Sequence, residues 1–209
     1  MNSEAKPKKP HHHGDLRRAL ITSSMTLLAK GGSAALTLRR AAAAAGVSHA
    51  APTHHFGNLD GLRSAVATEG FLLFCDAMER HVQAAEPAPR ARLRGLCMGY
   101  LEFALSHPSL LDLMFREERS FDKDAALLAA STEAYQALAR TAAPFVSAAH
   151  PARVTEAQIW SFIHGYAVLR TSRRFGQQAE DPSGDAAAIL SLLDRLELAP
   201  SSQKPDAPL

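Results

Sequence analysis

Apolar residues recur every three or four positions along most of the chain, in segments that glycine and proline separate. This spacing is typical of amphipathic helices, because about 3.6 residues make one helical turn. No convincing apolar–polar alternation, the mark of a half-buried strand, is found. The pattern predicts helices at residues 15–30, 38–45, 49–55, 59–85, 90–106, 110–116, 122–148, 155–174 and 186–198. It therefore predicts an all-α fold of about nine helices, with N-caps at Asp15, Thr37, Ser48, Thr155 and Asp185.

Two short helices joined by a tight turn stand out in residues 37–56. Thr37 and Ser48 are good N-caps for the two helices, and Gly46 supplies a left-handed turn that a side chain would resist. The packed face of the first helix is almost all alanine, which lets two helices approach closely. These features predict a helix-turn-helix, although two ordinary helices of a bundle would share some of them.

The second of these helices is the candidate recognition helix, since its N-terminal side chains would meet base edges in the major groove. Thr and His hydrogen-bond bases, and Ala or a Thr methyl contacts the thymine methyl. Helix N-termini also favour phosphate. The predicted DNA-binding residues are Thr37, Arg39, Arg40, Ser48, His49, Ala50, Thr53 and His54.

Positive charge is concentrated near the N-terminus. Residues 1–64 carry nine Lys and Arg against three Asp and Glu, whereas the remaining residues carry 14 against 18. This asymmetry favours a DNA-contacting head joined to a body that does not contact DNA. Residues 1–13 are predicted to be a disordered arm, in which Lys6, Lys8 and Lys9 either follow the DNA backbone or remain solvated.

Composition argues against several other classes of protein. The chain has 46% hydrophobic and 21% charged residues, as globular proteins do. No apolar run reaches the roughly 20 residues of a membrane span, and no secretory signal is found, so we expect a cytoplasmic protein. Cys75 and Cys97 lie among apolar neighbours, as buried free thiols do. Nucleophile elbow, phosphate loop and zinc spacing are all missing, so we expect no enzyme, cofactor or metal.

The N-terminal residues resemble the DNA-binding head of the TetR family of regulators. The similarity lies in residues 14–20, 36–40, 45–48 and 54–58, and at Leu62. Farther along, residues 160–167 resemble the Trp-x-x-x-His-Gly motif of one TetR subfamily. The resemblance implies a DNA-binding domain at 14–62, a ligand-binding and dimerisation domain at 63–198 and a flexible tail at 199–209. The family usually has Tyr at the position of Thr53 and Lys at the position of Leu59, and both of those side chains tend to reach DNA phosphates. Their absence here puts the affinity for DNA in doubt.

The resemblance also implies a small-molecule effector inside the C-terminal bundle. Many residues there are aromatic or Met, which suit an apolar pocket, although each one singly is better explained by core packing. The predicted pocket residues are Phe71, Phe74, Met78, Tyr100, Phe103, Met114, Phe115, Tyr135, Trp160 and His164. His164 is either a satisfied core histidine or the best polar handle on a ligand, with Arg116 and Arg119 next.

The resemblance further implies a homodimer. In it the last two helices of each chain would pair with those of the other chain across a two-fold axis. The predicted interface residues are Ile159, Phe162, Leu169, Ile189, Leu192, Leu193 and Leu196. Two heads would then read a palindromic operator on double-stranded DNA. The sequence thus predicts a repressor that a small apolar ligand releases, with a helical protein-interaction adaptor of weakened DNA binding as the alternative.

Overall fold

The computed structural model describes residues 13–116, 124–172 and 182–195. Over these residues the fold is all-α, as predicted, and no strand is present. The helices are α1 (His13–Ala35), α2 (Leu38–Ala45), α3 (Ala51–Phe56), α4 (Leu59–Ala84), α5 (Pro89–Ser106), α6 (Pro108–Arg116), α7 (Ala125–Ala142), α8 (Ala152–Thr171) and α9 (Pro182–Arg195). None of the helices in these ranges is long and apolar enough to cross a membrane. The predicted lysine arm, the tail, Arg119 and Leu196 lie outside the described residues.

The chain divides into two compact units, Met1–Val66 and Ala67–Leu209, and the boundary falls inside α4. In the first unit α1, α2 and α3 pack on one another. Leu20, Leu36 and Leu62 are almost fully buried there. Ala41 and Ala42 are also fully buried, so the alanine face of α2 packs into the core as predicted. This small-residue face gives the close helix packing that the sequence indicates.

The second unit is built around α5, which contacts α6, α7, α8 and α9. Its core contains Leu96, Leu101, Met114 and Ile163, each no more than 2% exposed. Most of the predicted boundaries hold to within a few residues. The first helix was predicted to end at residue 30; α1 runs on to Ala35, but its backbone angles are non-helical at Gly31 and Gly32. α1 begins at His13, so the predicted arm is one residue too long, and Asp15 lies within the helix and not at its N-cap.

The start of α3 differs from the prediction. The sequence places it at residue 49 behind a Ser48 cap, but α3 begins at Ala51, and the residue before it, Ala50, makes no side-chain cap. The Ala51 N–H donates to the Ser48 carbonyl at 3.1 Å, which makes residues 48–51 a turn. Pro52 then occupies the first turn of α3, where its missing N–H costs least.

Three later helix starts also differ from prediction. The Asp124 carboxylate accepts from the backbone N–H of Ala126 and Leu127 and caps α7, which begins at Ala125, three residues later than expected. α7 ends at Ala142, and the residues around Pro144 form a short 3-10 turn. Thr155 lies buried inside α8, not at its N-cap, and its hydroxyl donates to the His150 carbonyl at 3.1 Å. Asp185 likewise falls in the first turn of α9, because that helix begins at Pro182.

Candidate functional site

The turn between α2 and α3 is set by local backbone hydrogen bonds. The Thr37 hydroxyl accepts from the Arg40 N–H at 3.2 Å and caps α2. At the other end Gly46 is left-handed, with φ 68° and ψ 32°. The Val47 N–H donates to the Ala42 carbonyl at 3.0 Å, which closes the helix end around the glycine. The predicted cap and turn are therefore confirmed.

The junction between α3 and α4 is equally tight. Gly57 has φ 74°, and the Asn58 side-chain oxygen accepts from the Gly61 N–H at 2.9 Å. A Cβ on Gly61 would lie 2.0 Å from the Phe56 carbonyl oxygen, so only glycine fits there. The Arg17 guanidinium lies 5.4 Å from the centre of the Phe56 ring and adds a cation–π contact. These contacts hold the end of the candidate recognition helix.

The predicted DNA-binding side chains are accessible, but they are divided between two elements. Thr53 and His54 lie on α3 and are exposed. Ser48, His49 and Ala50 are exposed in the preceding turn, whereas the sequence predicted Ser48 as the N-cap and the other two as residues of the helix. The remaining predicted residues belong to the start of α2, where Arg39 and Arg40 are exposed and Thr37 is partly exposed.

Aromatic side chains gather in the second unit around Phe74 of α4. Its ring centre lies 4.8 Å from that of Tyr100 and 5.2 Å from that of Phe103. The ring of Phe115 lies 5.9 Å from Trp160 and 5.0 Å from His164. The structure thus brings these six predicted pocket residues together.

They leave little free space. The cavity between them measures about 30 Å³ and is lined by Phe71, Phe74, Met78, Leu96, Tyr100, Phe115, Ala134, Tyr135, Leu138, Trp160 and Ile163. That volume admits one or two waters, whereas ligand pockets usually measure about 300–1,000 Å³. Two predicted lining residues belong to the surrounding core: Phe103 packs on His107, and Met114 is fully buried beside Gly70.

A second, wider cleft of about 530 Å³ lies nearby. It is lined by Pro108, Ser109, Leu111, Asp112, Phe115, His164, Val168, Thr171 and Ser172. His164 faces this cleft, and its Nδ1 lies 2.6 Å from the Tyr100 hydroxyl. Burial lowers the pKa of His164 and raises the pKa of Tyr100, so this hydrogen bond joins a neutral phenol and a neutral imidazole. His164 is thus both hydrogen-bonded and accessible from the cleft.

A carboxylate that sequence reasoning missed adjoins the aromatic cavity. Glu156 of α8 is only 9% exposed, and the Tyr135 hydroxyl donates to its Oε2 atom. This hydrogen bond is the main cause of the raised pKa of Tyr135. The available signal was the spacing of four residues between Glu156 and Trp160, which puts both on one face of α8. The chain therefore brings one acidic group to the wall of an aromatic cluster.

The predicted dimer residues separate into two groups. Ile159 and Leu193 are each 2% exposed, so they belong to the core of the second unit and cannot lie at a surface. Leu169 and Leu192 are 44% and 39% exposed, while Phe162 and Ile189 are partly exposed. Leu193 also anchors α9, because its carbonyl accepts from Arg90 Nη1 at 2.6 Å.

Neither cysteine is poised for reaction. Both are free thiols, and burial raises the pKa of Cys75 to about 11 and that of Cys97 to about 12. Thiolate is the reactive form, so such thiols are inert at neutral pH. Among the described residues no cluster of His, Cys, Asp or Glu has the geometry of a metal site.

Comparisons with known proteins bear on both units. A family model described as Tetracyclin repressor-like, C-terminal domain, matches residues 93–193. A Rhodococcus sp. RHA1 protein of unknown function is 31% identical, with a TM-score of 0.75 over 90% of this chain and 98% of that one. A TetR-family regulatory protein from Rhodococcus RHA1 is 18% identical, with a TM-score of 0.64 over 86% and 95% of the two chains.

FadR of Bacillus subtilis, solved with stearoyl-CoA, is 14% identical and has a TM-score of 0.65 over 84% of this chain and 96% of its own. Among curated proteins no sequence matches this chain. The matched C-terminal domain, the near-complete overlap with a 31%-identical structure and the all-α architecture agree with one another. Residues 93–193 are therefore a Tetracyclin repressor-like C-terminal domain.

Proposed function

We propose that this chain is a sequence-specific DNA-binding transcriptional regulator that acts as a repressor. The observation that carries the proposal is the helix-turn-helix of the first unit. Its turn is closed by the left-handed Gly46, and the recognition helix α3 leaves Thr53 and His54 exposed. A recognition helix with free polar side chains at this place is what major-groove reading requires.

In this proposal the base edges are contacted by His49, Ala50, Thr53 and His54, whose side chains can hydrogen-bond bases or contact a thymine methyl. Phosphate contacts fall to Thr37, Arg39, Arg40 and Ser48. Ser48 does not cap α3, so its contact would come from its own hydroxyl and not from a helix N-terminus. Affinity would therefore depend on relatively few charged contacts.

The effector of this proposal is a small, largely apolar molecule bound in the second unit. The aromatic cluster offers the lining, and the likeness to FadR, which was solved with stearoyl-CoA, supports a fold able to enclose an apolar ligand. Because the inner cavity measures only about 30 Å³, the ligand must displace aromatic side chains. α4 contributes Phe71, Phe74 and Met78 to this wall and also residues to the first unit, so it would transmit the change.

The proposal includes a homodimer, as two-fold related heads suit a palindromic operator. The exposed apolar side chains of Leu169 on α8 and Leu192 on α9 support pairing through these helices. We also assign the chain to the TetR subfamily with the Trp-x-x-x-His-Gly motif, on Trp160, His164 and Gly165.

The test is fluorescence anisotropy of the full chain on DNA from upstream of its own gene, repeated over a range of salt concentrations. Thr53→Ala and His54→Ala should each weaken binding to the preferred sequence by about 1–3 kcal/mol. Arg39→Ala should weaken binding to every sequence and lower the salt slope by about 1. Thr132→Ala, an exposed threonine on α7, is the matched control and should change nothing.

A contrary result is equally clear. Feeble binding that is blind to sequence, and that Thr53→Ala and His54→Ala leave unaltered, would reject DNA reading and support the protein-interaction adaptor. A regulator of this kind instead loses affinity steeply as salt rises, because phosphate contacts release counterions.

A further inference from the structure

We propose that His49 and His54 contact DNA as imidazolium cations, so that the chain takes up protons when it binds DNA and binds more tightly as the pH falls. The inference rests on the proposed function in one respect, that the first unit binds DNA. It adds the charge state in which two of the DNA-binding side chains act, and a regulation of the same surface by pH.

Both histidines are open to a ligand. His49 is exposed in the turn before α3, and His54 is exposed on α3 itself. The His54 ring lies edge-on to that of His55, with 5.5 Å between the ring centres. Within the described residues, neither the His49 nor the His54 side chain forms a hydrogen bond or an ion pair. Each imidazole can therefore accept a proton and then donate from both of its ring nitrogens to oxygen or nitrogen acceptors on DNA.

The permanent charge of the helix-turn-helix is small. Residues 37–56 contain two arginines, Arg39 and Arg40, and no aspartate or glutamate. Protonation of His49 and His54 would therefore double the positive charge that this segment offers to DNA. Histidine is the side chain whose charge ordinarily changes between pH 5 and 8, and a nearby negative charge such as phosphate favours its cationic form. The affinity of this surface for DNA thus depends on histidine as much as on arginine.

The elements around α3 offer these histidines no free carboxylate. α1 and α2 pack on α3, and α4 follows it directly. Apart from the two arginines of α2, the described charged side chains of these elements in the first unit are Arg17, Arg18 and Lys30 on α1 and Asp60 and Arg63 on α4. The Asp60 Oδ1 atom lies 3.3 Å from Arg63 Nη1, so this carboxylate is already paired. DNA phosphate is therefore the counter-ion that suits protonated His49 and His54.

The experiment measures DNA affinity of the full chain by fluorescence anisotropy at pH 8 and at pH 6. One duplex comes from upstream of the chain's own gene, and the other has a random sequence. Each neutralised phosphate adds roughly tenfold in affinity at about 0.1 M salt, because it releases counterions. Binding of both duplexes should therefore be about tenfold tighter at pH 6, and the salt slope should be steeper there by about 1. A change in affinity of less than about threefold, with equal salt slopes, would overturn the proposal.

Variants then assign the effect, because other histidines of the chain change charge over the same pH range. The double variant His49→Gln, His54→Gln keeps hydrogen-bonding side chains that cannot become cations, and it should bind equally at the two pH values. His107→Gln, at an exposed histidine that follows α5 in the second unit, is the matched control and should keep the wild-type pH dependence. His54→Arg carries its charge at every pH, so it should bind more tightly than the wild type at pH 8. A wild-type pH dependence in the double variant would reject the assignment to these two residues.

The two duplexes separate this inference from the proposed function. Sequence-selective binding of equal strength at the two pH values would overturn this inference alone. Binding that strengthens at pH 6, is lost with the two histidines and does not distinguish the duplexes would support the histidine contacts and reject the sequence-specific regulator. Absence of DNA binding at both pH values would reject both.

Discussion

α5 crosses α4 at glycines that leave no room for a side chain, and one of them offers a sharp test. A Cβ on Gly99 would lie 2.4 Å from the Ala77 carbonyl oxygen and 2.6 Å from Met78 Cα. Both are backbone atoms, which cannot rotate away as a side chain would. Gly99→Ala should therefore push the two helices apart and loosen the packing of Phe74 on Tyr100.

The size of the effect follows from two opposed contributions. Alanine is about 1 kcal/mol more favourable than glycine inside a helix. Forcing an extra methyl into a packed contact costs about 1–3 kcal/mol. Gly165 of α8 is the matched control, because a Cβ there meets no described atom within 4 Å. The helix gain is common to both variants, so Gly99→Ala should be about 1–3 kcal/mol less stable than Gly165→Ala.

The assay is equilibrium unfolding in urea, followed by the fluorescence of Trp160, which lies in the second unit. Both variants are compared at one protein concentration, because an oligomer's stability depends on concentration. Gly165→Ala should be as stable as the wild type or slightly more so. Equal midpoints and slopes for Gly99→Ala and Gly165→Ala would refute the close crossing of α4 and α5.

Three further changes test individual residues. The fully buried hydroxyl of Ser24 has no described hydrogen-bond partner. Ser24→Ala should therefore raise the free energy of unfolding by about 1 kcal/mol, measured in a urea titration followed by circular dichroism. A loss of stability would contradict this prediction. Thr37→Ala should lower the free energy of unfolding by about 1 kcal/mol, because the Arg40 N–H loses its acceptor. Thr37→Ser keeps a hydroxyl at this position and should retain most of that stability. Burial lowers the pKa of His164 in the folded protein below its value of 6.5 in the unfolded chain. The folded state is therefore favoured above pH 6.5, where the ring is neutral in both states, and this stability is lost as the pH falls through the folded-state pKa. His164→Gln should flatten this dependence in unfolding titrations between pH 7.5 and 5, and an unchanged slope would reject it.

The sequence predicted most reliably those features that depend on neighbours in the chain. Thr37 and Gly46 act on backbone groups a few residues away, so the start and end of α2 were readable. The start of α3 was misplaced because Ser48 has the side chain of a good cap, but its carbonyl closes a turn with Ala51 instead. A capping residue type indicates a boundary only when the backbone around it is free to become helical.

Contacts between distant helices were less predictable. Apolar periodicity marked both Ile159 and Leu169 on α8, but it could not say that the first is buried within the chain's own core while the second is exposed. The contact of Tyr135 with Glu156 depends on how α7 packs on α8. Composition indicated that the aromatic residues would meet, and only packing showed how little space they leave.

The tight junction after α3 has a consequence for how the exposed surface of that helix can change. The path from α3 into α4 depends on Gly57, the Asn58 cap and the missing Cβ of Gly61, which meets the carbonyl of Phe56. None of these contacts involves the exposed side chains on α3. Mutations that replace those side chains leave the contacts of this junction intact, so the exposed surface of α3 can change without a penalty in folding.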